Sequence, residues 1–178
     1  MPDPTDPKGV SIHTVGYGGR PIDDFIAVLK SFDIAMLVDV RSQPYSRYAP
    51  DYRRESLERA LGDIGIAYRW MGAALGGRPV QAACYVDGRV DYERVREQRF
   101  FQAALADLRT LSLETSPLSI MCAEKKPEGC HRMRLVGIAL EAAGAEVIHI
   151  DGVAEARPHA EVVEAAQGPQ LDLFTQQP

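Results

Sequence analysis

The sequence predicts an α/β fold: a three-layer αβα single domain around a mostly parallel central sheet of about five strands, of Rossmann-like type. The order of apolar segments predicts the fold class, and the length predicts a single domain. Short apolar runs of strand length alternate with longer amphipathic segments, and this alternation is typical of parallel strands joined by right-handed helical crossovers. The 178 residues suit one domain. We place it at 10–152, after a disordered leader at 1–9 and before a flexible, acidic, Gln- and Pro-containing tail at 153–178.

The first half of the chain contains three predicted strands. The first ends in glycines, and Pro21 then occupies a plausible first helical position. Apolar residues between Phe25 and Phe32 give that helix a buried face. The second strand is an apolar run long enough to be buried in a parallel sheet, and after a loop with two prolines a helix is expected at 51–64. The predicted strands are 11–15, 35–40 and 66–71.

The second half of the chain contains two more predicted strands, 118–122 and 146–150. The segment 84–91 is ambiguous, with a turn around Asp87-Gly88. Helical spacing of apolar residues predicts one long helix at 92–111. A further helix is expected at 130–143, because a glycine follows it directly.

Composition excludes several classes of protein. The formal net charge is −5, which excludes a general polybasic nucleic-acid binder, and 46% hydrophobic residues exclude a wholly disordered chain. Three cysteines, an odd number, favour a reducing compartment over a disulfide framework. No apolar run reaches about 18 residues and the first residues lack a signal-peptide pattern. We therefore expect no membrane span and a cytoplasmic location.

Unusual residues follow the predicted strands, at the edge of the sheet where α/β proteins bind ligands. Gly16, Tyr17 and Arg20 follow the first strand, and Gly76 and Gly77 follow the third. Glycines between a strand and a helix let a ligand approach the backbone, and a helix N-terminus favours an anion. We therefore expect an anionic, phosphate-bearing ligand at this edge. A plain tight turn at the first glycines is an equal alternative.

Asp39 lies inside an apolar strand, where a carboxylate is costly unless it is paired. Arg41 points to the same side of the strand and is its expected partner, so that Asp39 orients an arginine that binds the ligand beside Ser42. The following loop carries Arg47 among further arginines and three tyrosines, which suits phosphate contact with base stacking. The structural alternative is an Asp–Arg pair that fastens a loop before a solvated helix start.

The segment from Cys122 to Arg132 is the richest in reactive side chains. Cys130 is predicted at a helix start, where backbone N–H groups stabilise a thiolate, and His131 and Arg132 follow it directly. Cys122 or Cys130 is a candidate nucleophile or redox centre, and Glu124 or His131 is the candidate general acid–base. The spacing is unusual for zinc, so no metal and no cofactor are expected. Two buried structural cysteines are the alternative.

Six short motifs mark the strand ends: Thr14-Val15-Gly16-Tyr17 with Arg20, Asp39 to Arg47, Leu75-Gly76-Gly77, Met121-Cys122-Ala123-Glu124, Cys130-His131-Arg132, and His149-Ile150. Together they resemble the domain-of-unknown-function family 488. The resemblance covers about 12–151, which is the whole predicted domain. It implies a bacterial or archaeal α/β domain, and the family name itself assigns no activity.

The tail contains a short apolar motif, formed by Gln170, Leu171, Asp172, Leu173 and Phe174. It resembles the pentapeptide by which bacterial replication and repair proteins bind the sliding clamp. An extended peptide whose leucine and phenylalanine enter apolar pockets of a partner would bind in this way, with 155–169 as a mobile tether. The alternative is a hook that packs these side chains on the domain's own core.

Two functions are compatible with these observations. The first is an enzyme that processes a nucleotide or a nucleic acid, placed in DNA repair by the sliding-clamp motif. The second is a non-catalytic module that binds nucleic acid or a small ligand. The substitution Glu124→Gln separates them, because an enzyme would lose activity and keep its ligand, whereas a binding module would change little.

Overall fold

The computed structural model describes residues 9–168, and a six-stranded sheet lies at its centre. The strands are β1 (Ser11–Gly16), β2 (Met36–Asp39), β3 (Ala67–Trp70), β4 (Tyr85–Val86), β5 (Arg89–Val90), β6 (Leu118–Cys122), β7 (Glu146–Ile150) and β8 (Ala156–Pro158). The order in the sheet is β3-β2-β6-β1-β7-β8, and β4 and β5 form a separate hairpin. All neighbouring pairs in the sheet are parallel except β7 and β8. The predicted α/β class with a mostly parallel sheet is confirmed.

Seven helices are present in the range 9–168. They are α1 (Ile22–Ser31), α2 (Arg54–Gly62), α3 (Gly72–Leu75), α4 (Tyr92–Glu97), α5 (Arg99–Glu114), α6 (Ile138–Ala142) and α7 (His159–Gln167). Short 3₁₀ turns occur at Pro50–Tyr52 and Ala82–Cys84, and a π-helical segment, Arg132–Gly137, leads into α6. No helix in the range 9–168 is long and apolar enough to cross a membrane.

Strand β6 is central, with all five of its residues buried, and its register positions the strand ends. Gly16 at the end of β1 pairs with Cys122, and Asp39 at the end of β2 pairs with Met121. The ends of β1, β6 and β2 therefore lie side by side at one edge of the sheet. This is the edge at which the sequence predicted a ligand site.

Alternate residues of the strands supply two apolar layers, one on each face of the sheet. Ile12 and Ile120 belong to one buried cluster, which includes side chains of α5 and of the segment 132–142. Val15 and Met121 belong to the other, which includes side chains of α1 and α2. The fold thus has helices on both faces of the sheet, as the three-layer prediction required.

The long helix predicted at 92–111 is in fact two helices, and the prediction of one continuous helix was wrong. Gln98 has an extended backbone between α4 and α5. Val95 and Phe101 are both fully buried in the same cluster. In one continuous helix these two side chains would point roughly 120° apart, so the break allows both to face the core.

The segment beyond Ile150 contains two elements that the sequence analysis did not predict. β8 pairs with β7 in the antiparallel direction, and α7 follows it with His159 and Val162 buried. The prediction of a mobile tether over 155–169 was therefore wrong for most of that range. The segment that forms β8 and α7 has too few apolar residues to show a core pattern in the sequence. These two elements nevertheless pack at the edge of the sheet, beside β7. The sliding-clamp motif lies outside the described residues.

Candidate functional site

A cleft of about 510 Å³ opens at the carboxyl ends of β1, β2 and β6. Six of the predicted site residues line it: Tyr17, Arg41, Ser42, Gly77, Glu124 and His131. The rest of its wall consists of Gln43, Tyr45, Arg78, Val80, Tyr92, Ala123 and Gly129. The predicted site residues that are not on this wall are Gly16, Arg20, Asp39, Arg47, Gly76, Cys122, Cys130 and Arg132.

Asp39 and Arg41 form a buried ion pair at the end of β2. Arg41 Nε donates to Asp39 Oδ1 over 2.9 Å, and Nη2 donates to Oδ2 over 2.6 Å. The carboxylate also accepts hydrogen bonds from the Tyr68 hydroxyl at 2.8 Å and from the Arg41 backbone N–H at 3.0 Å. The pairing that the sequence predicted is present, and it fixes the plane of the guanidinium.

One side-chain nitrogen of Arg41 has no partner in the part of the chain that the structure describes. Nη2 donates a further hydrogen bond to the carbonyl of Tyr52 at 2.8 Å, whereas Nη1 is buried and has no hydrogen-bond partner within residues 9–168. The guanidinium carbon lies 5.5 Å from the centre of the Tyr17 ring, which stacks on Tyr52 at 4.0 Å. A buried N–H without an acceptor is costly, so Nη1 is a group that an acceptor atom of a ligand would satisfy.

The turn after β1 is filled by the protein's own backbone. The N–H groups of Tyr17 and Gly18 donate to carbonyls of 122–123, so they are not available to an anion. A Cβ at Gly16 would lie 1.7 Å from the carbonyl oxygen of Glu124, which explains why the position needs glycine. The tight turn that the sequence left open as an alternative therefore describes this segment better than an anion cradle.

Arg20 holds two strand ends together. Its Nη1 donates to the carbonyl of Gly16 at 2.5 Å, and its Nη2 donates to the carbonyls of Asp151 at 2.9 Å and Gly152 at 3.0 Å. Carbonyls beyond the ends of strands lack ladder partners, and the guanidinium satisfies three of them. Arg20 thus joins the end of β1 to the loop after β7 rather than facing the cleft.

Gly76 and Gly77 allow the segment after α3 to approach the loop after β2. A Cβ at Gly76 would lie 2.3 Å from Ser42 Oγ, and one at Gly77 would lie 3.0 Å from the His131 Cβ. Ser42 Oγ also accepts the backbone N–H of Arg78 at 3.0 Å. These two glycines therefore allow the close packing of the segments that form one wall of the cleft, and Gly77 itself lies on that wall.

Arg132 is the largest fully buried side chain within residues 9–168. Its Nη1 donates to Cys122 Sγ at 2.9 Å and to the carbonyl of Glu124 at 2.5 Å. Its Nη2 donates to the carbonyl of Lys125, and its Nε donates to Thr14 Oγ1, both at 3.2 Å. No carboxylate of the described residues forms an ion pair with it. This guanidinium is engaged behind the cleft wall.

Cys122 and Cys130 are buried and in direct contact, with their Sγ atoms 2.6 Å apart. Burial opposes ionisation of Cys122, but the hydrogen bond from Cys130 and the charge of Arg132 together outweigh it and lower the pKa of the Cys122 thiol. The hydrogen bond to Cys122 and burial raise the pKa of Cys130. Cys122 is therefore the thiol of this pair that loses its proton first.

Cys122, Glu124 and Cys130 are the residues whose ligand atoms lie close enough together to hold a metal ion, within 4.8 Å of one another, in the part of the chain that the structure describes. Thiolates suit soft metal ions. However, the Arg132 guanidinium contacts Cys122 Sγ directly, so a bound cation would face a fixed positive charge at close range. This donor set does not favour a resident metal ion.

His131 lies between the cleft and the cysteines. Its Nε2 is 2.9 Å from the carbonyl oxygen of Val40, which can only accept, so Nε2 carries the proton and Nδ1 does not. Burial lowers the pKa of the ring, and Nδ1 lies 3.8 Å from Cys130 Sγ. Glu124 is exposed on the same cleft. His131 and Glu124 are thus two groups that can exchange protons here.

A chain of buried hydrogen bonds continues from Arg132, and sequence reasoning missed it. Thr14 Oγ1 is 2.7 Å from His149 Nδ1, and His149 Nε2 is 2.9 Å from His159 Nδ1. Arg132 donates to Thr14, so the chain of contacts runs from Arg132 through Thr14 and His149 to His159. Burial, then the neighbouring His159 and Arg132, lower the pKa of His149 to about 3. Two polar residues inside apolar strands, Thr14 and His149, were the available signal.

The loop 41–54 exposes two tyrosines and an arginine, whereas its Arg41 and Tyr52 are buried. Tyr45 is 66% exposed and Tyr48 is 92% exposed. The guanidinium carbon of Arg53 lies 4.8 Å from the centre of the Tyr45 ring, and Arg47 is exposed. Of the interleaved arginines and tyrosines that the sequence predicted, Arg41 and Tyr45 border the cleft.

A second cleft, of about 440 Å³, lies beside β7, β8 and the start of α7. It is bordered by Glu141, Glu146 and His159 together with aliphatic residues. Arg41, Glu124 and His131 border the first cleft and not this one, so the candidate site is the first cleft.

Comparison with known proteins gives a family without an activity. The family model described as "Domain of unknown function DUF488" matches residues 21–139. No curated protein and no solved structure matches the chain.

Proposed function

The chain belongs to the domain-of-unknown-function family DUF488, and because that description assigns no reaction, we propose a function from the geometry of the site. The cleft binds an anionic, phosphate-bearing ligand through Arg41. The exposed aromatic and basic loop beside it makes a nucleotide or a nucleic acid the class of ligand that fits best. The protein processes this ligand as an enzyme, with Glu124 and His131 as its proton-exchanging groups.

The observation that carries this proposal is Nη1 of Arg41, which has no hydrogen-bond partner among the described residues. Asp39 neutralises the charge of Arg41, so Arg41 offers oriented N–H donors rather than net charge. Arg78, exposed on the same cleft, forms no ion pair with any described residue and adds the positive charge. A phosphate oxygen at Nη1 would satisfy a buried donor, and because Asp39 already fixes the guanidinium, Arg41 would not have to be reoriented on binding.

The catalytic roles follow from what borders the cleft. Glu124 and His131 are the groups that can donate or accept a proton at a bound ligand. Asp39 is a positioning residue that holds Arg41 in its plane. Arg132 is likewise a positioning residue, because its donors are directed at Cys122 and at backbone carbonyls.

Binding is tested by calorimetric titration with inorganic phosphate and then with a nucleoside monophosphate. Arg41→Gln is expected to weaken phosphate binding about tenfold or more, since a hydrogen bond to a charged group contributes about 1.5–3 kcal/mol. Arg69→Gln is the matched control, because Arg69 is exposed on the edge strand β3 and does not border the cleft. Should Arg41→Gln fail to fold, Arg78→Gln tests the same cleft. Equal phosphate affinity in all variants would reject the anion site.

Catalysis is tested by incubating the protein with nucleotides and short single-stranded DNA and following product formation. Glu124→Gln is expected to abolish turnover and to leave ligand affinity within about threefold, because Glu124 exchanges protons rather than holding the phosphate. If no substrate is turned over by the unmodified protein, the enzymatic part of the proposal fails while the binding part stands.

A second candidate, a non-catalytic nucleic-acid module, is favoured by one observation: Tyr45 and Tyr48 are both highly exposed beside basic residues. Stacking of one base contributes about 1–3 kcal/mol. We expect Tyr48→Ala to weaken binding of a single-stranded oligonucleotide, and Arg47→Ala to reduce the salt dependence of that binding. Arg99→Ala, on α5, is the control. Unchanged affinity in both loop variants at low salt would exclude this function.

A place in DNA repair rests on the sequence motif 170–174, which resembles a sliding-clamp-binding peptide. Leu173→Ala combined with Phe174→Ala should abolish binding of the full chain to a bacterial sliding clamp and leave the melting temperature unchanged. A fall of several degrees in melting temperature would instead indicate that the motif packs on the domain, and the repair context would then be withdrawn.

A further inference from the structure

We propose that Cys122 and Cys130 are a redox-active dithiol, which a small peroxide oxidises to an intramolecular disulfide. This goes beyond ligand binding in the cleft, since it concerns the buried sulfur atoms behind the wall. It does not depend on Arg41 or on the nature of the ligand.

The first argument is the environment of Arg132. This guanidinium is fully buried, and no described carboxylate pairs with it. A buried cation is costly unless an anion is close to it. Cys122 Sγ, at 2.9 Å, is the contacting atom that can become an anion. The fold therefore stabilises a thiolate at Cys122, which is the reactive form of a thiol.

The second argument is the position of the other sulfur. Cys130 Sγ contacts Cys122 Sγ, although the two cysteines lie eight positions apart in the chain. The backbone N–H of Arg132 is 3.4 Å from Cys130 Sγ, and His131 Nδ1 is 3.8 Å from it on another side. The unprotonated Nδ1 is able to take the Cys130 proton. Cys130 is therefore placed to attack Cys122 once that sulfur has been oxidised.

The reaction balances with hydrogen peroxide as the oxidant. The Cys122 thiolate attacks one peroxide oxygen, the O–O bond breaks and hydroxide leaves, so that Cys122 becomes a sulfenic acid. Cys130 gives its proton to His131 Nδ1 and attacks the Cys122 sulfur. The S–S bond forms, the S–O bond breaks, and the departing hydroxide takes that proton as water. Two electrons pass from the two sulfurs to the peroxide.

Burial selects the class of oxidant. Both cysteines are about 1% exposed, so the disulfide of another protein cannot reach either sulfur without local opening. A peroxide is small enough to enter from the cleft, whose wall includes Ala123 and His131, the chain neighbours of the two cysteines. Cys84, the third cysteine, is also buried, has no described cysteine beside it, and burial raises its pKa. It serves as an internal control.

The experiment titrates the full chain with hydrogen peroxide, denatures it, labels remaining thiols with a maleimide and measures the intact mass. The reduced protein has three thiols, and we expect the oxidised protein to label at Cys84 alone, with all three labels recovered after dithiothreitol. Cys84→Ala should still form the disulfide. In Cys130→Ala, a dimedone adduct should appear at Cys122, whereas Cys122→Ala should give none at Cys130.

The role of Arg132 is tested by the pH profile of oxidation. Arg132→Met should move the rise in oxidation rate to higher pH, and Arg132→Lys should restore most of the profile because it keeps the positive charge. Retention of all three thiols in the folded protein, oxidation of Cys84 as fast as the pair, or stoichiometric zinc binding at these cysteines without disulfide formation would each overturn the proposal. Titration of the same samples with phosphate measures anion binding in the cleft, so failure of the dithiol proposal can be distinguished from failure of the proposed anion site.

Discussion

The buried imidazole of His149 makes folding stability depend on pH in a predictable direction. The ring is hydrogen-bonded to Thr14 and to His159, and it faces the positive charges of Arg132 and Arg157. No carboxylate is among the groups that shift it. A second proton on the ring would bring a charge into the interior, where burial disfavours the charged form. The native state therefore disfavours protonation of the ring, and the pKa of His149 is lowered to about 3.

The unfolded chain has no such restriction, so its His149 takes up a proton near the ordinary pKa of 6.5. A lowered pKa means that stability is fully present above pH 6.5 and is lost as the pH falls towards the native value. Between about pH 7.5 and about pH 5 the loss attributable to this residue is about 2 kcal/mol, at about 1.4 kcal/mol for each pH unit below 6.5.

The assay is urea denaturation of the unmodified chain and of His149→Gln at a series of pH values. The variant starts with lower stability, and the difference in free energy of unfolding between the two proteins should shrink by about 2 kcal/mol on acidification to about pH 5. Subtracting the two curves removes the titration of surface carboxylates that both proteins share. If the two curves run parallel from pH 7.5 to 5, His149 does not exclude a proton and the argument is refuted.

Three further substitutions test the packing of the fold by chemical denaturation. Gly16→Ala places a methyl group 1.7 Å from a carbonyl oxygen and should lower the free energy of unfolding by about 1–3 kcal/mol. Gly62→Ala, which meets no atom within 4 Å, should be neutral, and equal effects would contradict the close approach. Val162→Ala on α7 should cost about 2 kcal/mol, against no change for Val153→Ala, which is 75% exposed; no loss in the first variant would mean that α7 does not pack on the sheet. Asp39→Asn leaves the cleft arginine buried without its counter-ion and should cost about 3 kcal/mol, whereas a neutral result would mean that water screens this pair.

Local patterns in the sequence predicted most of the sheet, because apolar runs of strand length are visible without knowing what they pack against. The pairing of Asp39 with Arg41 was predictable for the same reason, as the two residues are neighbours on one side of one strand. The contact between Thr14 and His149 depends on the register of two strands far apart in the chain, and no local pattern carries that register. The same holds for the contact of Cys122 with Cys130, which depends on the conformation of the intervening loop.

Helix α7 was missed for a different reason. A helix that covers the end of a sheet needs few buried residues, and Val162 together with His159 supplies them here. The acidic and alanine-rich composition around them is equally typical of an unstructured segment. The break at Gln98 also left no sequence signal, because the residues on both sides of it favour a helix.

The two outer strands of the sheet are poor templates for pairing with a second copy of the chain. An outer strand offers unpaired N–H and C=O groups that can recruit another chain. On one side β8 is only three residues long, runs against its neighbour, and ends in Pro158, which has no N–H to donate. On the other side β3 has four residues and carries the exposed Arg69. Both margins are thus short and unsuited to strand addition. A chain shortened before Ala156 would lose β8 and leave β7 as an outer strand, whose apolar residues Val147, Ile148 and Ile150 would favour strand addition.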